Sequence, residues 1–178
     1  MKHKYSKERS MQIEKQRNNP FYKKTFGAML IVIAMFLSSN LRAQQASAFE
    51  TYLENLSDTA RNQIRALAYD EQATVLVSAA GISLVGNGVA QVLDVNASDL
   101  STLNFNDMAL SQVKFIRIRI NSASELALNL DLSGASALSH LSFVLVMSAV
   151  DATAAQITDS VQGIPSGVPL CYSVSVPQ

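Results

Sequence analysis

The sequence predicts an α/β protein in which an N-terminal helix precedes a small domain of strands and helices. Three observations lead to this class. Residues 44–72 carry apolar side chains at helical spacing, residues 73–178 contain short β-branched runs, and these runs recur at an interval of about 28 residues. The strand-rich region is compatible with a repeat architecture and with an ordinary mixed sheet.

Residues 1–43 have the organisation of a secretory signal peptide. Two lysines precede an uncharged apolar run at residues 26–37, and small and polar residues follow it. A helix that spans a bilayer needs roughly 20 apolar residues, so this run is too short for a permanent anchor. We expect cleavage after Ala43, or alternatively after Ala48, because signal peptidase requires small side chains before the cut.

Residues 44–178 are expected to form a single mature domain with an acidic surface. This part of the chain has five lysine and arginine side chains against twelve aspartate and glutamate side chains, a formal net charge of −7. A domain without a basic footprint is a poor partner for DNA or RNA. The membrane is expected to be a partner only of the signal segment, during export.

The helical part of the mature domain is predicted at residues 44–72. Apolar side chains at three-to-four spacing place one stripe of this segment against the protein, and charged residues occupy the opposite face. Ser57 followed by Asp58 is a capping signal that can divide the segment into two helices. The stripe consists of Phe49, Leu53, Leu56, Ala60, Ile64, Leu67 and Ala68.

Three strand-like segments follow, at residues 115–120, 143–146 and 171–176, and the same interval separates the start of each from the start of the next. Period-two alternation sends Arg117 and Arg119 to the face opposite the isoleucines between which they lie. Residues 151–161 have helical spacing, with Asp151 as a candidate cap. A strand, helix and strand in this order predict that the last two strands are parallel.

The spacing of aliphatic residues from Leu76 onward resembles leucine-rich repeats, whose core reads L-x-x-L-x-x-L-x-L-x-x-N. Later copies depart from this pattern, since Ala149 replaces the asparagine of the third. The resemblance covers about 100 residues and implies a solenoid whose outward sheet residues line a recognition surface. The two copies that fit are Leu76, Ala79, Ile82, Leu84 and Asn87, and Leu110, Val113, Ile116, Ile118 and Asn121.

The mature region has one histidine and one cysteine, and neither lies in a catalytic signature. His140 is expected at an exposed position, and Cys171 is expected to be buried in a strand among apolar residues. An exported enzyme that uses Cys171 or His140 is the alternative function. The sequence favours a protein that is not an enzyme, and we expect no catalytic residue, metal site or cofactor.

Lys114, Arg117 and Arg119 concentrate three of the five basic side chains of the mature region on one predicted strand. We identify them as candidate binding residues for a protein partner or an acidic ligand. The sequence therefore favours a small exported interaction protein, located in the periplasm, at the cell surface or outside the cell. A membrane-tethered envelope subunit that retains residues 26–37 is a further alternative.

Overall fold

The computed structural model describes residues 45–175 of the chain. The predicted signal peptide, its apolar run at residues 26–37 and the preferred cleavage point after Ala43 lie outside the described residues. Within residues 45–175, no helix combines the length and hydropathy needed to cross a membrane.

Nine strands in the described part of the chain form one large sheet and one small sheet. They are β1 (Ser47–Ala48), β2 (Thr74–Ser78), β3 (Gly81–Val85), β4 (Val92–Asn96), β5 (Phe115–Ile120), β6 (Leu130–Asp131), β7 (Phe143–Ser148), β8 (Val161–Gln162) and β9 (Leu170–Val174). The order across the large sheet is β1, β9, β7, β5, β4, β2, β3, and the small sheet pairs β6 with β8. Every neighbouring pair is parallel except β2 with β3.

The predicted α/β class is confirmed in its coarse form, as a mostly parallel sheet combined with several helices. The predicted parallel pairing of β7 with β9 is also confirmed. Five strands, β2, β4, β5, β7 and β9, lie side by side in chain order. Between successive strands the chain therefore returns to the same end of the sheet, through β3 between β2 and β4 and through crossover connections between the others.

The register of neighbouring strands differs in part from the sequence interval. Phe115 lies opposite Phe143, the residue that occupies the equivalent position one interval later. Cys171, in contrast, lies opposite Leu145 and not opposite Phe143, so the register of β9 differs from the sequence interval by two residues. The shift from Phe143 to Leu145 preserves the face on which each side chain lies, because side chains alternate with period two.

Residues 76–87, which include one of the leucine-rich copies, lie mostly in an antiparallel hairpin. Leu76 is in β2, whereas Ile82 and Leu84 are in β3 and are exposed. A two-residue connection can join only antiparallel strands. Gly81 follows that connection with a φ of 112°, a conformation that glycine adopts without steric cost.

Four α-helices in the described residues are α1 (Phe49–Glu54), α2 (Asp58–Tyr69), α3 (Ala123–Leu126) and α4 (Ala154–Ser160). The segment predicted as helix at 44–72 therefore contains β1 and two helices. Ser57 is the N-cap of α2, and its side chain accepts a hydrogen bond from the Ala60 backbone nitrogen. Thr153, not Asp151, caps α4, because Thr153 and Gln156 satisfy each other's backbone N–H groups in a capping box.

Helices α1 and α2 pack on one face of the large sheet, which we call the helix-side face. Phe115 and Phe143 stack there with ring centroids 5.1 Å apart, and Phe49 of α1 meets Phe143 edge to face at 5.9 Å. Leu53 and Cys171 are fully buried in the same cluster. The helical layer thus covers the sheet around its central strands.

The opposite face of the sheet, the core-side face, packs against the crossover connections. Ile116, Ile118 and Ile120 of β5 are fully buried in this core, as the alternation predicts. The connections contain α3, α4 and the small sheet, together with three 3-10 helices at Ala97–Thr102, Met108–Leu110 and Ser133–Ala137. Apolar residues of the connections, including Leu110 and Ile157, complete the core.

We predict that Gly163→Ala destabilises the fold far more than Gly167→Ala. Both glycines have positive φ, 72° and 83°, so alanine carries a conformational cost of roughly 1–2 kcal/mol at either site. A Cβ on Gly163 would also overlap the Ser133 backbone nitrogen, whereas a Cβ on Gly167 meets nothing within 4 Å. Urea unfolding should give losses of roughly 3 kcal/mol and 1 kcal/mol; equal losses would contradict this packing.

Candidate binding site

The helix-side face places Arg117 and Arg119 together with a buried carboxylate. Both arginines lie on β5, two residues apart, and Asp94 lies opposite Arg117 on β4. Alternation along β5 directs both arginines to the helix-side face, on the same side as Phe115. The prediction that they lie opposite the isoleucine core is confirmed.

Asp94 is the centre of this arrangement, with only 6% of its side chain exposed. Arg119 binds it in a bidentate manner, from Nε to Oδ1 and from Nη2 to Oδ2, both at 2.7 Å. Arg117 Nε lies 2.9 Å from Oδ2 of the same carboxylate. One negative charge therefore serves two positive charges, and the group as a whole carries a net charge of +1.

Arg117 is committed to the interior of the protein. Its Nη1 donates a 2.7 Å hydrogen bond to the carbonyl oxygen of Ala68, in the last turn of α2, and its side chain is 14% exposed. Burial lowers the pKa of Arg117, and the charge of Asp94 opposes that shift. Arg117 thus joins the helical layer to the sheet and does not present its charge to solvent.

Arg119 has the same partner but a different environment, since 44% of its side chain is exposed. Its hydrogen bonds to Asp94 raise its pKa. The two bonds to Asp94 use Nε and Nη2, and no described residue accepts a hydrogen bond from Nη1 of Arg119. Arg119 therefore keeps donors that can meet a carboxylate or phosphate from outside.

Arg119 belongs to a row of side chains at the carboxyl ends of four neighbouring strands. The register places Asn96, Arg119, Met147 and Ser173 side by side. Arg119 is exposed and the other three are half-buried, in contrast to the mostly buried residues of the preceding rows. We call these four residues the open row. In parallel sheets, ligands commonly bind outside the carboxyl ends of the strands.

Lys114 does not join the two arginines. It lies just before β5, at the other end of the strand, where its Nζ donates a 3.1 Å hydrogen bond to Oε1 of Gln91. The remaining basic residues are each paired with one acid, Arg61 with Asp58 and Arg65 with Glu50. Among the described residues, Asp94 is the only carboxylate that pairs with two basic side chains.

Sequence reasoning missed Asp94 as a member of the site. The available signal was its position, since it is the only charged residue in the strand Val92–Asn96 and its neighbours are buried. A charge in such a strand requires a partner of opposite sign. That rule indicates an arginine nearby without saying which one, because the pairing of β4 with β5 is a tertiary feature.

Cys171 and His140, the residues of the alternative enzyme hypothesis, lie in unrelated environments. Cys171 is fully buried under α1, and its Sγ lies 3.8 Å from Oγ of Ser47. Burial raises the pKa of the thiol to about 11, so it is protonated at neutral pH. His140 lies in an exposed turn before β7. Both positions were predicted correctly, and neither environment activates a nucleophile.

A groove of about 650 Å³ lies between α3 and α4, away from the open row. Asp151, Asp159, Gln156 and Asn129 are among its lining residues. Two carboxylates make the groove unsuitable for an acidic ligand. In residues 45–175 no three histidine, cysteine or acidic side chains come together in a group that could hold a metal ion.

Comparison of the chain with known protein families, with curated proteins and with solved structures finds no match.

We predict that Asp94→Asn costs roughly 3–5 kcal/mol of unfolding free energy. The substitution preserves shape but leaves two guanidinium groups without their counter-charge, one of them buried. Glu50→Gln is the matched control, since it breaks an exposed pair with Arg65 and should cost less than about 1 kcal/mol. Urea unfolding followed by circular dichroism measures both, and similar small losses would show that Asp94 does not support the helical layer.

We also predict that Cys171 resists thiol reagents in the native protein. Its burial and raised pKa should slow its reaction at neutral pH by roughly a hundredfold or more relative to the denatured chain. Ser111→Cys, at an exposed turn, provides a control thiol that should react at once. Rapid labelling of native Cys171 would instead favour the enzyme hypothesis.

The same thiol links stability to pH in a defined direction. Between pH values of about 9 and about 11 the unfolded thiol loses its proton while the folded thiol retains it. The free energy of unfolding contributed by this group is therefore present below that window and decreases as pH rises through it. Cys171→Ala should remove this component, which a comparison of urea unfolding across the window measures.

Proposed function

We propose that this chain is a small exported binding protein that holds an acidic partner at Arg119, in the open row of its sheet. The observation that carries the proposal is the state of Arg119. The residue is oriented by two hydrogen bonds to Asp94, is 44% exposed and keeps Nη1 directed to no described acceptor. An arginine held in place by one carboxylate loses little freedom when it meets a second.

The charge distribution supports an acidic partner. The region 44–178 has a formal net charge of −7, whereas Asp94, Arg117 and Arg119 together carry +1. A local positive charge attracts an anionic group to this place, and the acidic surface repels that group elsewhere. A carboxylate-bearing protein surface or small acidic ligand fits these donors, and the acidic surface disfavours nucleic acid.

The scaffold in this proposal is similar to a leucine-rich repeat solenoid. The stacking of β2, β4, β5, β7 and β9 in chain order supports the similarity, as does the pairing of Phe115 with Phe143 at the interval seen in the sequence. In solenoids, the exposed side of the sheet is commonly the recognition surface. Here α1 and α2 cover part of that side and leave the open row accessible.

Export is the second part of the proposal. The basic flank and the apolar run at residues 26–37 support a signal peptide, and cleavage after Ala43 would start the mature protein at Gln44. The protein would then act in the periplasm, at the cell surface or outside the cell. N-terminal sequencing of the exported product distinguishes this proposal from a membrane-tethered subunit that retains residues 26–37.

We predict that Arg119→Ser weakens binding of acidic peptides by roughly tenfold or more, because a charge-assisted hydrogen bond is lost. The probe is an array of immobilised peptides rich in aspartate and glutamate, offered to the exported product at two salt concentrations. Arg119→Lys should give an intermediate loss, since lysine retains the charge but cannot bind in a bidentate manner. Arg117 remains to neutralise Asp94, so circular dichroism should report an intact fold.

Lys114→Ser is the matched control for this experiment. It removes an exposed positive charge at the other end of β5 and should leave binding nearly unchanged. Equal losses for Arg119→Ser and Lys114→Ser would indicate a general effect of net charge. No retained acidic peptide, or binding that is insensitive to Arg119, would disprove the proposed site.

A further inference from the structure

Strand β3 forms one edge of the large sheet, and no described strand pairs with its outer side. All five of its residues are exposed. Alternate residues of an edge strand present unpaired N–H and C=O groups, which can pair with another strand. The other edge is β1, which has only two residues and offers little to pair with.

The β3 edge is also the most apolar exposed part of the described chain. Ile82 and Leu84 lie opposite Val77 and Val75 of β2, so they continue the core-side face beyond the last crossover connection. Leu84 is 57% exposed. Five of the nine large exposed hydrophobic residues in the described part of the chain lie in this region, namely Leu76, Ile82, Leu84, Val85 and Val89.

This edge lacks the features that keep edge strands apart. Proteins protect exposed edges with charged residues, prolines or bulges. No charged residue and no proline occurs between Glu71 and Asp94, although the region 44–178 contains seventeen charged side chains. An exposed, uncharged and apolar edge strand is typical of a surface that pairs with another strand.

We propose that two copies of this chain associate along β3, in antiparallel register about a two-fold axis at Ser83. In this register Ser83 faces its counterpart, and Ile82 of each copy faces Leu84 of the other. Opposite residues of antiparallel strands share a face, so the four aliphatic side chains form one apolar layer. The large sheet then continues from one copy into the other.

A second copy is the occupant that the edge itself favours, because Ile82 and Leu84 flank Ser83 symmetrically and an antiparallel copy of the same strand brings each of them opposite the other. Each copy has a net charge of −7 over residues 44–178, so most faces of two copies repel one another. The β3 edge carries no charged residue, so two copies meet there without bringing like charges together. Five-residue strands bury a small area, so the dimer should be weak, with a dissociation constant in roughly the micromolar range or above.

A charge exchange at Ser83 tests the pairing. Ser83 is exposed on the face opposite Ile82 and Leu84, so a charged side chain there leaves the core intact. The protein is obtained by expression of the full-length chain, and its mass is followed by analytical ultracentrifugation over a range of concentrations. We expect a wild-type dimer, and self-association of Ser83→Glu and of Ser83→Lys weaker by roughly tenfold or more.

An equimolar mixture of Ser83→Glu and Ser83→Lys should restore the dimer, because opposite charges then meet at the two-fold axis. This recovery separates strand pairing with a second copy from nonspecific apolar contact. Met108→Glu adds a charge at an exposed apolar residue of a 3-10 helix, and this variant should dimerise as strongly as the wild type. A mixture that stays monomeric would overturn the proposed register.

Oxidative crosslinking examines the same contact without adding charge. Ser83→Cys should form an intermolecular disulfide in higher yield than Val89→Cys, because residue 83 faces its counterpart across the two-fold axis and residue 89 does not. Cys171 is buried and does not compete in either variant. Wild-type protein that remains monomeric at all concentrations would overturn the proposal. So would open-ended oligomers, because a two-fold contact closes at the dimer.

Discussion

The ion pairing of the Asp94 carboxylate with Arg117 and Arg119 is the interaction on which the arrangement of helices and sheet depends. It lets Arg117 be buried, and a buried guanidinium without a counter-charge would cost several kcal/mol. Arg117 in turn donates to the carbonyl oxygen of Ala68, one of the last carbonyls of α2, which lack partners within the helix. A cation at this position also complements the negative end of the helix dipole. One buried charge on β4 therefore helps to set where α2 ends above β5.

The same carboxylate pairs with two neighbouring arginines that lie in different environments. Arg117 and Arg119 share a strand, a face and a partner, and differ in what lies above them. Helix α2 reaches over Arg117, whereas Arg119 lies closer to the carboxyl end of β5, in the open row. Arg117 consequently joins the helix to the sheet, and of the two arginines only Arg119 has an exposed side chain. The substitution of both arginines together would confuse loss of fold with loss of binding.

Sequence patterns predicted the face of each strand residue well and predicted poorly what covers that face. Ile118 and Arg119 lie on opposite faces in any register, because successive side chains of a strand alternate between faces whatever the length of the connections. The cover of α2 over Arg117 is a tertiary contact between residues 49 positions apart, with no local signal. The prediction that Asp151 caps α4 was wrong for a different reason. Asp151 has the right chemistry, but Thr153 with Gln156 satisfies two backbone groups at once.

In a sheet whose strands stack in chain order, each strand is covered by its two neighbours, so the ends carry the exposed surface. At one end, β1 pairs with β9 and α1 packs beside it. At the other, β3 covers β2 but leaves Ile82 and Leu84 exposed in its place. This apolar, uncharged edge and the charged row around Arg119 have opposite chemistry. The acidic partner proposed for Arg119 would gain nothing from the β3 edge, so the proposed ligand binding and self-association would not compete on one molecule.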